Sequence, residues 1–123
     1  MKLDKVVDFR GPVAHALVPQ ILSEADLLVN LSETGSLDKN VLEAAACGTP
    51  VLTSNEAFEE AMLKLDPALF FEQGNAVDLA EKILQINQWG TEKRYDLGRK
   101  LRNWVEREHN LVNLTHRIIE SFK

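Results

Sequence analysis

The sequence predicts an α/β protein, with a parallel sheet between two layers of helices and a helical C-terminus. Two short apolar runs, residues 27–31 and 51–53, flank a segment of helical composition at residues 37–47. Two such strands joined by a helix form a right-handed parallel crossover. The chain alternates strand and helix patterns at first and ends in helical patterns only. We therefore expect a three-layer sheet of about four strands, with residues 27–31 covered on both faces.

Size and charge narrow the possible classes of protein. The chain has 123 residues, of which 45% are hydrophobic and 27% charged, and this suits one globular domain over residues 1–123. The net charge is −5, and the basic residues near the C-terminus alternate with acidic ones. Nucleic acid is therefore not an expected partner. We also expect no transmembrane segment and find no signal-peptide pattern.

The cysteine and histidine residues point to no metal or redox chemistry. Cys47 is the only cysteine, so an internal disulfide is excluded, and a cytoplasmic location fits this usage. His15, His109 and His116 have no metal-like spacing with each other or with Cys47. Cys47 lies among small residues at a predicted helix end, where we expect a buried filler rather than a nucleophile.

The remaining elements follow from apolar spacing and from Gly and Pro breaks. A strand is predicted at residues 5–9 and a helix with Pro19 in its first turn. Asn55 is expected to cap the next helix, and residues 68–71 are expected to form a short edge strand. Further helices are predicted at residues 76–88 and 91–109. A last helix starts after Asn110, with its apolar positions in register at Leu111, Leu114, Ile118, Ile119 and Phe122.

The loop before the central helix, residues 33–39, is suited to an anionic ligand. Thr34 or Ser36 can cap the helix, and Gly35 lets the backbone pass close to a ligand. The N–H groups of the first turn have no partner within the helix, and the helix dipole attracts anions there. Lys39 adds a positive charge near the same end, and ligands of parallel sheets bind beyond the carboxyl ends of the strands.

Glu43 follows Lys39 by about one helical turn. The neighbouring residues Ala44, Ala45 and Ala46 indicate close packing, so we expect Glu43 to be partly buried. A carboxylate there needs a partner to offset desolvation, and the two hydroxyls of a ribose can supply one. An exposed glutamate paired with Lys39 explains the position equally well. The residues alone leave both interpretations open.

Residues 37–55, LDKNVLEAAACGTPVLTSN, resemble the donor-binding segment of family-4 retaining glycosyltransferases, whose pattern ends in L-E-A-x-A-C-G-x-P-V. The flanking segments are similar as well. Residues 5–11 resemble the family's V-x-F-x-G strand, residues 26–32 its A-D-x-x-V-x-x-S strand, and residues 70–78 a later loop followed by an N-x-x-x-L-A helix. The resemblance covers nearly the whole chain in the family's order.

By this resemblance the chain is a partial, Rossmann-like C-terminal domain of the GT-B fold, which binds a nucleoside diphosphate sugar as substrate and needs no cofactor or metal. Glu43 would bind the ribose hydroxyls, and the backbone at Gly35, Ser36 and Leu37 would approach the sugar and diphosphate. Gly11 and Val13 would lie near the base. The family's first glutamate is replaced here by Gly35, and TGSLDK resembles a subgroup in which Asp38 or Lys39 takes over donor contacts.

A larger departure concerns what this chain does alone. The family's domain begins with two further strand–helix units, one carrying an Arg and a Lys for the diphosphate, and it works with an acceptor domain. We expect a chain without them to be inactive, and to form either a contiguous sheet through residues 5–9 or a homodimer across an open sheet edge. The alternatives are a non-catalytic α/β module with a vestigial nucleotide site, used for folding or self-association, and a fragment of a sugar-nucleotide epimerase.

Overall fold

The computed structural model describes residues 17–31 and 38–108. Seven elements follow in order: α1 (Val18–Glu24), β1 (Leu28–Asn30), α2 (Lys39–Ala46), β2 (Val51–Thr53), α3 (Glu59–Leu65), α4 (Ala76–Asn87) and α5 (Thr91–Glu108). Short 3-10 turns at Glu56–Phe58 and Pro67–Leu69 connect them. The strand predicted at residues 5–9 and the helix predicted after Asn110 lie outside the described residues.

The central crossover is confirmed. β1 and β2 pair in parallel, with Leu28 opposite Val51 and Asn30 opposite Thr53, and α2 connects them. On the other edge of β2, Thr53 forms an isolated parallel bridge with Phe70. In the described part of the chain the sheet therefore consists of two strands and this bridge, and a sheet of four strands is not seen there.

The prediction of an edge strand at residues 68–71 is wrong for its first two residues and holds only where Phe70 and Phe71 pair with Thr53. Residues Pro67–Leu69 instead form a 3-10 turn. Pro67 has the fixed φ that a first helical position accepts, and the carboxylate of Asp66 accepts the N–H of Ala68 at 2.9 Å. This local cap holds the backbone in a turn, so the pairing with β2 begins only at Phe70 and includes the bond from Phe71 N to Thr53 O at 3.1 Å.

α2 begins two residues later than predicted and ends close to the predicted position. Its N-cap is Asp38, with extended backbone at φ −66° and ψ 130°, rather than Thr34 or Ser36. At its end, Gly48 has φ 75°, and the N–H groups of Gly48 and Thr49 bond to Ala45 O and Ala44 O at 3.0 and 2.9 Å. This is a Schellman motif, in which a glycine takes the left-handed conformation after the helix.

The core lies between α2, the strands, α3 and α5. Phe58 and Trp104 meet edge to face, with ring centroids 6.1 Å apart. α5 passes close to the end of α2, where Gly98 lies against the carbonyl of Gly48. The guanidinium of Arg94 also ties α5 to its neighbours, since it donates to Ile86 O at the end of α4 and to Asp26 O before β1. The most deeply buried apolar side chains are Val41, Ala44, Ala45, Val51, Leu52, Phe58, Met62, Leu69 and Leu101.

The two faces of β1 differ in how well they are covered. Alternate residues of a strand point to opposite faces, and Asn30 contacts Asn40 of α2, so Leu28 and Asn30 face α2. Val29 and Leu31 face the other way and are 37% and 60% exposed. The expectation that residues 27–31 are covered on both faces is therefore wrong. On that second face, among the described residues, a cavity of about 270 Å³ separates Leu31 and Ser54 from the start of α4.

In the described part of the chain, no helix has the length and apolar character needed to cross a membrane.

Candidate functional site

The candidate site lies where β1 and β2 end and α2 begins. Ligands of parallel sheets bind at this edge, because the loops leaving the carboxyl ends of the strands and the N-termini of the following helices meet there. Of the predicted site residues, the structure brings Asp38, Lys39 and Glu43 to this edge on α2 and its N-cap. Gly11, Val13, Gly35, Ser36 and Leu37 lie outside the described residues.

A polar network connects the two strand ends to α2; it consists of Asn30, Asp38, Asn40, Thr53 and Asn55. Asn30, Thr53 and Asn55 are buried, Asp38 is partly buried and Asn40 is exposed. The hydroxyl of Thr53 donates to Asn30 Oδ1 at 2.8 Å and accepts the backbone N–H of Asn55 at 3.0 Å. Asn30 Nδ2 donates to Asp38 Oδ2 at 3.2 Å and to Asn40 Oδ1 at 3.3 Å. Buried polar groups cost free energy unless they are paired, and these are paired with each other.

The Asp38 carboxylate, which the family resemblance implied as a possible donor contact, bonds to side chains at the strand ends. Its Oδ2 accepts the side-chain amides of both Asn30 and Asn55, at 3.2 and 3.1 Å. The side chain therefore reaches back towards the strand ends. It does not cap α2 by a side-chain bond to the helix backbone, although its backbone occupies the N-cap position.

Lys39 and Glu43 lie on the outer face of α2. They are one turn apart, on the side opposite to the buried residues Val41, Ala44 and Ala45, and Lys39 is exposed while Glu43 is half-buried. No ion pair forms between them in this part of the chain. A lysine four residues before a glutamate interacts less favourably along a helix than the reverse order. Among the described residues the Glu43 carboxylate accepts no hydrogen bond.

Glu43 does act on Cys47, which caps the end of α2. Burial raises the pKa of the Cys47 thiol, and the nearby Glu43 carboxylate raises that pKa further. Both effects disfavour the thiolate, which is the reactive form of a cysteine. Cys47 packs against the core but is only partly buried, so the expectation of a buried filler is met in its packing and not in its full burial.

The described residues contain no group of three or more His, Cys, Asp or Glu side chains arranged to hold a metal ion. His15, His109 and His116 lie outside these residues.

Besides Asn40 on α2, three residues of the polar network, Asn30, Thr53 and Asn55, were missed as parts of the site by the sequence analysis. Asn30 lies inside an apolar run, and Thr53 is an ordinary strand residue, so neither stands out from its neighbours. Asn55 was correctly predicted as a cap, since its Oδ1 accepts the N–H of Ala57 at 3.0 Å, but its amide also reaches Asp38. The available signal was position, because each polar side chain is at or just after the carboxyl end of a strand.

Comparison with known families identifies the chain. A family model described as glycosyl transferases group 1 matches residues 1–88, which is more than half of the 123 residues. The chain therefore belongs to the group 1 glycosyltransferase family. The match includes every predicted site residue and ends near the end of α4. The same comparisons find no matching curated protein and no matching solved structure.

Proposed function

We propose that this chain is the donor-binding portion of a glycosyltransferase of the GT-B fold, from the C-terminal domain of that fold. The whole enzyme would transfer a hexosyl group from a nucleoside diphosphate sugar to an acceptor. The family match supports the class of reaction. The parallel β1–α2–β2 unit supports a nucleotide site, because it is the arrangement that binds phosphates and riboses beyond the carboxyl ends of strands.

One observation carries the assignment of the site to α2. Glu43 is half-buried on the outer face of the helix, one turn from Lys39, and its carboxylate accepts no hydrogen bond among the described residues. A carboxylate that is partly removed from water needs donors. The adjacent hydroxyls of a ribose supply two donors, and a carboxylate can accept both. Lys39 lies towards the helix N-terminus, where it and the helix dipole favour the diphosphate.

The other proposed contacts follow the family resemblance. The backbone at Gly35, Ser36 and Leu37 would approach the transferred sugar and the diphosphate. Gly11 and Val13 would lie beside the base. Asp38 was proposed with Lys39 as a donor contact, but its Oδ2 already accepts two amide hydrogen bonds, so we give it a supporting role below.

We expect the chain by itself to transfer little or no sugar. By the resemblance, the Arg and Lys that hold the donor diphosphate belong to strand–helix units that are not among these 123 residues. The acceptor domain is not among them either. Positioning and stabilisation of the leaving group supply most of the rate in such a site. Half-exposed Val29 and exposed Leu31 suit a sheet face that another segment covers. Robust sugar transfer by this chain alone would contradict this part of the proposal.

The test is a calorimetric titration of the chain with UDP, GDP and their hexose conjugates, for the wild type and for Glu43→Gln. A carboxylate-to-hydroxyl hydrogen bond contributes about 1.5–3 kcal/mol, so we expect Glu43→Gln to weaken nucleotide binding by about tenfold or more. The matched control is Glu81→Gln on α4, which removes the same charge from an exposed helical position and should leave the affinity unchanged.

The alternative is a non-catalytic α/β module that self-associates, and the exposed apolar residues Val29 and Leu31 favour it. Absence of nucleotide binding at millimolar ligand would support this alternative and contradict the donor site. Equal losses of affinity in the Glu43→Gln and Glu81→Gln variants would contradict the role of Glu43 while leaving nucleotide binding itself established.

A further inference from the structure

We propose that Asn30 and Asn55 are positioning residues for the donor site, which hold Asp38 and thereby fix the start of α2 and the direction of Lys39. This inference rests on the proposed function. It assigns to Asp38 an inward, supporting role instead of a contact with the donor.

The burial of the two asparagines supports this role. Asn30, Thr53 and Asn55 are 5%, 0% and 1% exposed. Asparagine at such positions gives up hydration that an apolar side chain would not have to lose. The lost hydration is offset by the hydrogen bonds between these residues, and a fully paired buried network holds its members in one arrangement.

Two side-chain amides also donate to a single oxygen of Asp38. The amides of Asn30 and Asn55 come from the ends of two adjacent strands and donate to the same oxygen, Asp38 Oδ2, at 3.2 and 3.1 Å. Hydrogen bonds to a charged acceptor are about twice as strong as neutral ones. Asp38 is therefore held by β1 and by the segment after β2 at once, so the start of α2 has a defined position relative to both strand ends.

The position of Asp38 in the chain gives this contact its consequence for the site. Asp38 is the N-cap of α2, and its carbonyl accepts the N–H of Leu42 at 3.4 Å. Lys39 follows directly, so the orientation of the Asp38 peptide sets the direction in which Lys39 leaves the helix. Gly35, Ser36 and Leu37, which are further predicted donor contacts, directly precede Asp38 in the sequence. Movement of Asp38 would therefore displace several of the proposed donor contacts together.

Substitutions can separate this role from a direct donor contact. Asn30→Asp keeps the size and the oxygen that accepts from Thr53, but it replaces the amide donor with a second carboxylate beside Asp38. Asp38→Asn keeps an oxygen that can accept both amides and removes the charge. The double variant Asn30→Asp with Asp38→Asn again places one carboxylate opposite one amide, with their positions exchanged.

The first measurement is the affinity for UDP and GDP by calorimetry, at a temperature where each variant is folded. We expect Asn30→Asp and Asp38→Ala to bind about tenfold more weakly than the wild type, because each removes hydrogen bonds that hold Asp38 in place. Asp38→Asn should keep most of the affinity, and the double variant should recover much of what Asn30→Asp loses. The control Asn103→Asp adds the same charge at an exposed position of α5 and should have no effect.

The second measurement is amide hydrogen exchange without ligand, which tests the contact even if the wild type binds no nucleotide. Asn30→Asp should raise exchange in residues 38–46 and leave residues 91–108 unchanged, and the double variant should restore protection. A failure of the proposed function would appear as absence of nucleotide binding in the wild type with this exchange pattern intact.

Three results would overturn the inference. The first is unchanged exchange in residues 38–46 of Asn30→Asp. The second is an equal increase in α2 and α5, which would mean that the network only stabilises the whole fold. The third is a loss of nucleotide affinity in Asp38→Asn as large as in Asp38→Ala, which would make the Asp38 charge itself a donor contact.

Discussion

At the scale of single residues, the Glu43 carboxylate connects the proposed ligand site to the chemistry of Cys47. The thiol and the carboxylate lie about one helical turn apart on α2, and burial and then Glu43 raise the pKa of the thiol. The same glutamate that we expect to bind a ribose therefore also suppresses thiolate formation. Because Cys47 is the only cysteine of the chain, its ionisation can be followed without interference.

We predict that Glu43→Gln makes Cys47 more reactive at a given pH. Removal of the negative charge lowers the thiol pKa, so a larger fraction is thiolate, which is the reacting form. The effect should be smaller than the effect of burial, which is the larger cause. The measurement is the rate of alkylation by iodoacetamide from neutral to alkaline pH. An unchanged profile, or a slower reaction than in wild type and Glu81→Gln, would contradict the placement of Glu43 beside the thiol.

The raised thiol pKa also fixes the sign of a stability change. A pKa that is higher in the folded than in the unfolded chain contributes stability below the unfolded value, and this contribution is lost as the pH rises through the folded value. Unfolding by urea should therefore become easier at alkaline pH in wild type, and less so in Cys47→Ser.

At the scale of elements, α2 and α5 depend on two glycines for their close approach. A Cβ atom placed on Gly98 would collide with the carbonyl oxygen of Gly48, and Gly48 itself has the left-handed conformation that ends α2. We predict that Gly98→Ala destabilises the fold by about 1–3 kcal/mol, since backbone must move to relieve the collision. This is a net loss, because the cost of the collision has to exceed the roughly 1 kcal/mol that alanine gains over glycine inside a helix.

Urea unfolding monitored by the fluorescence of the tryptophans measures this loss. The matched control is Gly90→Ala at the start of α5, where no atom lies within 4 Å of the added Cβ. Its stability should fall by less than that of Gly98→Ala, since Gly90 is the N-cap of α5, where its carbonyl accepts the Arg94 N–H at 3.1 Å. Alanine caps a helix less well than glycine, at a cost of about 1 kcal/mol or less, but no collision is added. Equal stability of the two variants would show that α2 and α5 are not held at the distance seen here.

The helices and strands of this fold could be predicted only in part from the sequence. The crossover was predictable because the apolar runs at residues 27–31 and 51–53 are short and bounded by turn residues, and the longer amphipathic helices because their period is sustained. Pro67 and Asp66 form a local turn that overrides the strand propensity of the two phenylalanines after it. The role of Asn30 depends on Asp38 and Asn55, which are distant in sequence, so no local pattern could reveal it.

At the scale of the whole molecule, β1 has an edge that no described residue pairs. Leu28 N bonds to Pro50 O at 2.9 Å, so the N–H and C=O of Val29 point away from β2. Val29 and Leu31 beside this edge are 37% and 60% exposed. Unpaired strand edges with apolar neighbours recruit another strand, which leaves two outcomes: pairing with residues 5–9 of the same chain, or pairing with a second copy.

We predict that Leu31→Lys separates these outcomes. If β1 joins two copies, light scattering should show a dimer of the wild type that becomes a monomer in Leu31→Lys, because a lysine there would have to be desolvated in the interface. The control is Leu84→Lys on α4, a leucine with the same 60% exposure, which should leave the dimer intact. If residues 5–9 complete the sheet, the wild type should be a monomer whose Val29 amide is protected from hydrogen exchange. A monomer with a rapidly exchanging Val29 amide would contradict both outcomes.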